Sequence, residues 1–536
     1  MDDLFRRNVA ETPERLALVD DPRKGDFTDS PPERLTYAAL ADRVDRLAAV
    51  FDGGGLRADD LLLVQLPNVA ELIAVYLAAA RLGLVVTPIP VQYREKEIGD
   101  VLDIAKPKAA VTALTVRGVD HAAMIRRSAG EREISIYALG TEVPGPFIDL
   151  SASIAKAAPL SHRPGPAGPN DIFTVCWTSG TEARAKAVPR THNNWVATGY
   201  GIIDGAGMAP NECLLNPFPA VNIASIGGLV VPWLMTGGTL VLHIPFDLET
   251  FVRQLSDEKV TYTVAAPAIL NRLIKDPSQL AEADLSALRS IGTGGAPPDA
   301  WMMAEFQKRH GIAVTNFFGS NEGMSFCASG DDVPDPDHRS RLFPRAGRPE
   351  YEWRNRGSNW SRTKLTDPET GEEITQAGVP GEMAISGPTV FPGYFRTDEN
   401  RTVDFDLSPF DKDGYFRSGD LFEIAEEDGD PRYYRFVGRK KEIIIRGGMN
   451  ISPAEVETVL GDHPALVEAA AAGIADREMG ERVGAFVVPQ PGETVTLDML
   501  TAYLTDRGLA RYKLPERLFV MEELPRSPLN KVLRRE

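Results

Sequence analysis

The chain has 536 residues, 43% hydrophobic and 25% charged, with a formal net charge of −18. That length exceeds one ordinary domain and can bury two or more cores; the composition is that of a globular protein, and the acidic balance argues against a nucleic-acid surface. With no run of about eighteen apolar residues, no basic and apolar leader and no lipidation tail, the expectation is a cytoplasmic protein without a membrane span.

The opening MDDLFRRNVAETPERLALVD predicts an amphipathic helix entering a strand. Up to about residue 330, helical runs such as ELIAVYLAAARLG alternate with short strands such as LVVTPIP, AAVTAL, GTLVLHI and VTYTVAA. That alternation predicts an α/β fold with doubly wound sheets flanked by helices. Residues 156–170 read as a Pro/Gly linker before the β-rich DIFTVCW. Residues 330–362, rich in Asp, Arg and Pro and holding Trp353 and Trp360, read either as a long surface loop or as a cover over a ligand. From Thr363 short strands and turns predict a small β-rich subdomain, and the last ninety or so residues predict a compact α+β terminal domain of two helices and two strands.

The cysteines Cys176, Cys213 and Cys327 are odd in number and lack CxxC spacing, which predicts reduced, structural thiols. The seven histidines show no HxH or HExxH grouping, so histidine-based metal catalysis is not expected. A Mg2+ held by a carboxylate and substrate phosphates stays open.

The densest chemical signal is Trp177 to His192, WTSGTEARAKAVPRTH. Its hydroxyls and backbone N–H groups, with Lys186 as cation, suit phosphate oxygens. The spacing is not that of a Walker loop, and a plain surface loop is the other reading. The segment also resembles the phosphate-binding signature of the adenylate-forming superfamily of acyl-CoA synthetases, standalone adenylation enzymes and luciferases. Thr178, Ser179, Gly180, Thr181, Lys186 and Val188 match, while Glu182, Ala183, Ala185 and Ala187 stand where Thr, Gly, Pro and Gly are usual. Six further segments match in order: PFPAVN, GTGGAPP, NFFGSNEG, GYFRSGD, FVGRKKEIIIRGG and LPRSPLNKV.

This resemblance implies an N-terminal domain, residues 1–440, binding adenylate and acyl group, and a mobile C-terminal domain, residues 441–536, with the hinge at Lys441. It implies ATP or an acyl-adenylate, Mg2+ and coenzyme A as cofactors and co-substrates. Glu322 matches the Mg2+-associated glutamate, and Asn321 fills a position commonly held by a Thr that contacts the α-phosphate. Gly294, Gly295 and Ala296 match the turn against which adenine packs; Phe318 matches the stacking aromatic, followed by Gly319. Asp420 and Arg439 match the ribose contacts. Lys531 matches the lysine that bridges carboxylate and α-phosphate, while Gly447 and Gly448 match the lining of a tunnel for the pantetheine arm. Ala220, Val221, Asn222, Gly294, Gly319 and Ser320 match positions around the acyl end: Val221 stands where His is common, Asn222 resembles a contact to a ring hydroxyl, and the small Ala220, Gly294, Gly295, Gly319 and Ser320 favour a bulky aromatic, alicyclic or terpenoid acid over a straight chain.

The function so implied is an acyl-CoA ligase working through an acyl-adenylate. The altered phosphate loop and Asn321 motivate a narrower variant, in which adenylation is weakened or lost and a partner enzyme supplies the adenylate. The alternative is a standalone aryl-acid adenylating enzyme that loads a carrier protein; a catalytically silent adenylate-binding protein is the reading from another class.

Overall fold

The computed structural model describes residues 1–160, 166–178, 185–398, 402–427, 429–446, 449–526 and 532–533. Two large sheets form its body. The first orders its strands as Ser325–Ala328, Ala313–Gly319, Ser290–Gly294, Tyr262–Val264, Cys213–Asn216, Thr239–Leu242, Leu16–Val19 and Arg34–Thr36. The second runs Lys186–Thr191, Ile172–Thr178, Val85–Pro88, Leu61–Gln65, Ala109–Ala113, Ser135–Leu139 and Ile148–Asp149. Both are parallel in their interiors and carry antiparallel strands only at edges. This is the expected doubly wound architecture, in which βαβ crossovers cover both faces of each sheet.

The helix Ala70–Leu82 shows why the two sheets cohere. Residues 70–81 are all buried, so the segment AELIAVYLAAAR is apolar around nearly its whole circumference and sits inside the main core. Gly83 ends it in the left-handed region, at φ 69°. Its first turn is anchored by charge: Asp20 Oδ1 accepts from the Ala70 N–H at 2.8 Å, and Lys24 Nζ bridges Asp20 and Glu71 at 2.8 and 2.9 Å. Burial pushes the Asp20 carboxyl up to about 6, with Lys24 opposing that shift.

The β-rich subdomain is a six-stranded antiparallel sheet ordered Leu342–Pro344, Asp430–Arg439, Phe416–Glu427, Gly381–Ser386, Arg362–Thr366 and Glu373–Ile374. A separate ribbon pairs Tyr394–Thr397 with Val403–Asp406. The terminal domain pairs Leu466–Asp476 with Gly480–Pro489, adds the hairpin Ile444–Arg446/Met449–Ile451 and the strand Arg517–Val520, and packs helices Pro453–Gly461 and Leu497–Asp506 on them. Lys441 lies exposed in the turn between the strand ending at Arg439 and that beginning at Ile444.

Residues 330–362 are not a plain surface loop. They hold the helices Pro336–Arg341 and Arg356–Trp360, and Trp353 is buried against Tyr351 and Tyr433. Asp332 ties the segment down by accepting from the N–H groups of Arg354 and Asn355 at 2.7 and 3.1 Å. The polar composition that suggested a loop is consumed by such internal bonds. All three cysteines are unpaired, and burial pushes the Cys176 and Cys213 thiols up to about 11 and about 12, which keeps them protonated and inert.

Candidate active site

The strand Ile172–Thr178 and the strand Lys186–Thr191 form an antiparallel hairpin in which Thr178 faces Lys186, so the two residues frame the mouth of the phosphate-loop segment. Ser179, Gly180 and Thr181 lie outside the described residues, as do Gly447, Gly448 and Lys531. Ala187 and Val188 are buried, so the alanine that replaces a usual glycine is a packing residue.

Asn321 and Glu322 occupy the turn between the strands Ala313–Gly319 and Ser325–Ala328. Asn321 is a brace. Its Nδ2 donates to the Trp177 carbonyl at 3.2 Å, its Oδ1 accepts from the Ile223 N–H at 2.9 Å, and its own carbonyl accepts from Arg190 Nη1 at 2.8 Å. One residue thus ties the phosphate hairpin to the start of the π-helix Ile223–Val230. Arg190 is wholly buried, stacks on Trp195 at 4.6 Å and donates to Thr198 Oγ1 at 2.8 Å. Desolvation pulls it down to about 10, Glu322 and Cys176 opposing, so it stays charged at neutral pH.

Glu322 is half-buried. Its Oε1 accepts from the Tyr394 hydroxyl at 3.0 Å, and its carbonyl accepts from the Phe391 N–H at 2.8 Å. Gly323 makes the turn possible: its φ is +108°, and a Cβ there would sit 1.9 Å from the Thr389 carbonyl oxygen. Lys186 Nζ lies 4.9 Å from the centroid of the same Tyr394 ring. A single Glu322 carboxylate at a phosphate mouth fits a Mg2+ ion, which commonly takes one or two carboxylates and completes its shell with phosphates and water.

Other candidate residues are placed as follows. Gly294 pairs with Phe317 so closely that a Cβ would sit 2.2 Å from that carbonyl oxygen; Gly295 and Ala296 are exposed beyond the strand end. Phe318 packs against Phe436, Phe422 and Phe343 at 4.9, 5.2 and 5.9 Å, which seats it on the six-stranded sheet. On that sheet Asp420 and Arg439 are register partners, Oδ1 to Nε at 3.5 Å, with Asp420 buried and Arg439 exposed. Gly319 is exposed, and the Ser320 hydroxyl is buried without a hydrogen-bond partner among the described residues.

Ala220 and Val221 are buried, with the Ala220 carbonyl accepting from Tyr76 at 2.6 Å. Asn222 caps the π-helix, its Oδ1 accepting from the N–H groups of Ala224 and Ser225 at 3.1 and 3.3 Å. Its amide N–H groups make no hydrogen bond among the described residues. The turn at 320–323, the phosphate hairpin and residues 220–223 therefore converge on one mouth. Tyr394 and Arg190 were not singled out from the sequence; Arg190 lies inside the very segment that was, but nothing in its spacing shows that it is buried.

Two doubly wound sheets, a β-rich subdomain and a small α+β terminal domain are the architecture that the adenylate-forming resemblance implies. Comparison with known proteins specifies the family. The family model of the AMP-binding enzyme matches residues 5–395, and that of the AMP-binding enzyme C-terminal domain matches residues 455–531. Indoleacetate–CoA ligase of Aromatoleum aromaticum is 30% identical, covering 94% of this chain and 92% of its own. Feruloyl-CoA synthase of an Amycolatopsis species is 31% identical, covering 94% and 93%. ATP-bound MatB from Rhodopseudomonas palustris superposes with a TM-score of 0.79 at 25% identity, covering 99% and 97%. The chain belongs to the AMP-binding enzyme family, in its acyl-CoA ligase branch, and is an AMP-forming acid–thiol ligase. No helix among the described residues is long and apolar enough to cross a membrane.

Proposed function

We infer that this chain activates an aromatic or alicyclic carboxylic acid with ATP and passes the acyl group to coenzyme A. The observation that carries the reading is the convergence of Lys186, Glu322 and residues 220–223 on one mouth, braced by Asn321. The names of the two relatives, which act on indoleacetate and on a feruloyl group, support a cyclic acid. So does the lining: Gly319 and Ser320 are small, and Asn222 offers N–H donors to a ring substituent.

In the first half-reaction a carboxylate oxygen attacks the α-phosphorus, the bond to the β-phosphate oxygen breaks, and pyrophosphate leaves. Lys186 and the loop 179–181 hold phosphate oxygens, Asp420 accepts from the ribose hydroxyls beside Arg439, and Phe318 with Gly294–Ala296 flanks adenine. Lys531 aligns the carboxylate with the α-phosphate. Glu322 would hold Mg2+, which when bound supplies charge neutralisation at the phosphates. These groups act by positioning and electrostatics. In the second half-reaction the terminal domain turns about Lys441, residues 447–448 line the path of the thiol, sulfur attacks the acyl carbonyl, AMP leaves, and the thiol proton goes to solvent.

The substitutions Glu182, Ala183, Ala185 and Ala187, with Asn321 engaged by protein, favour a second reading in which only the thioester step is efficient. Pyrophosphate release and thioester formation, measured side by side with a panel of cyclic acids, ATP, Mg2+ and CoA, separate the two when repeated with synthetic acyl-adenylates. Both products from free acid are expected. Thioester formed only from supplied adenylate would establish the second reading, and transfer to a carrier protein but not to CoA would establish the adenylating alternative.

A further inference from the structure

Lys186 and Glu322 come from distant parts of the chain, yet the same side chain touches both. The Tyr394 hydroxyl donates to Glu322 Oε1 at 3.0 Å, and Lys186 Nζ lies 4.9 Å from the centre of the Tyr394 ring. The ring is itself fixed. Phe391 meets it edge-on at 5.0 Å, and the Phe391 N–H donates to the Glu322 carbonyl at 2.8 Å. The neighbouring Phe395 is 2% exposed in the core beneath the second sheet, and the Thr397 hydroxyl donates to the Ile104 carbonyl at 2.6 Å. The ribbon that carries Tyr394 is thus nailed to the sheet on one side and to the Glu322 turn on the other.

We propose that Tyr394 is a positioning residue for adenylation, resting on the function inferred above: its hydroxyl orients Glu322 toward the counter-ion and its ring face holds the Lys186 ammonium toward the phosphates. The chemistry suits both tasks. A carboxylate accepting a phenol hydrogen bond is fixed in rotation while its other oxygen stays available. An ammonium over a tyrosine face is attracted by the ring quadrupole, which fixes the direction in which it points.

The test is calorimetric titration of ATP into the full chain at a series of Mg2+ concentrations, with wild type, Tyr394→Phe, Tyr394→Leu, Glu322→Gln and Tyr394→Phe/Glu322→Gln. Tyr394→Phe keeps the ring and is expected to raise the Mg2+ needed for half-maximal ATP binding about tenfold, the size of one hydrogen bond to a charged group. Tyr394→Leu removes the ring as well and is expected to weaken ATP binding about a further fivefold. In the Glu322→Gln background the Tyr394→Phe change is expected to vanish, because the two act through one contact. Thioester formation from supplied acyl-adenylate and CoA is expected to change by no more than about twofold in either Tyr394 variant.

Unchanged Mg2+ dependence in Tyr394→Phe would overturn the inference, as would a Tyr394→Phe effect that persists beside Glu322→Gln or an equal loss in both half-reactions. Wild type that binds no ATP would instead remove the functional reading on which the inference rests.

Discussion

Asn321 shows how a residue at a candidate phosphate position can also serve as a structural brace. The family resemblance puts a threonine hydroxyl near the α-phosphate at this position; the longer amide here reaches the Trp177 carbonyl and the Ile223 N–H instead. Replacing it by alanine orphans both groups in a half-buried place, and Asn321→Thr supplies a single hydroxyl too short to span them. Chemical denaturation is expected to show Asn321→Ala less stable by about 1–3 kcal/mol, the penalty of buried polar groups left unpaired. Asn321→Thr is expected to recover less than half of that, roughly 1 kcal/mol. Full recovery by threonine would mean that the brace is not what the asparagine provides.

At the level of elements, the 320–323 turn is held by close approach. Gly323 lies at φ +108° with its α-carbon against the Thr389 carbonyl, while Gly295 lies at φ +82°, where a Cβ would meet nothing within 4 Å. Alanine therefore costs only backbone strain at Gly295, about 1–2 kcal/mol, but strain and a backbone collision at Gly323. Gly323→Ala is expected to lower the melting temperature by at least twice as much as Gly295→Ala and to abolish the Tyr394–Glu322 register, read as lost ATP binding. Equal shifts in the two variants would show that the Pro388–Phe391 segment gives way freely. Such approaches explain what the sequence disclosed and what it hid. Alternation of ELIAVYLAAARLG with short strands sufficed for the doubly wound body, because period and burial are local properties. The motif segments stood out because their chemistry is unusual for a loop. Tyr394 was not, since GYF is an ordinary strand sequence and its meaning lies in Lys186 and Glu322 arriving from elsewhere. The helices within 330–362 were hidden for a related reason: Asp332 and Asn355 look solvated until Arg354 and Gly201 supply their partners.

The whole molecule carries a net charge of −18, and its two domains meet partly through like charges. Asp299, just before the helix Ala300–His310, faces the Gly461–Asp462 corner of the terminal domain, where a Cβ on Gly461 would sit 3.7 Å from Asp299 Oδ1. Burial pushes both carboxyls up. For Asp462 the Asp299 charge adds to that shift, with Arg507 and Lys275 opposing it, and for Asp299 the Asn271 amide and Lys275 oppose it. A carboxyl with a raised pKa favours the docked arrangement in its protonated form; that contribution is complete below the ordinary carboxylate range, about 3.9, and is lost as pH rises through the raised values. At neutral pH the pair therefore weakens this arrangement, which suits the domain rotation proposed above. Asp462→Asn is expected to remove the repulsion and the share of the pH dependence that Asp462 carries. Distance measurements between spin labels on the two domains, from about pH 4 to about pH 8, should show the wild-type docked fraction falling as pH rises and the Asp462→Asn fraction falling less. The same variant should slow turnover from acid, ATP and CoA more than either half-reaction measured singly, because its cost is exacted at the passage between them. A docked fraction that is flat with pH in wild type would leave Asp299 and Asp462 as neighbours with no part in that passage.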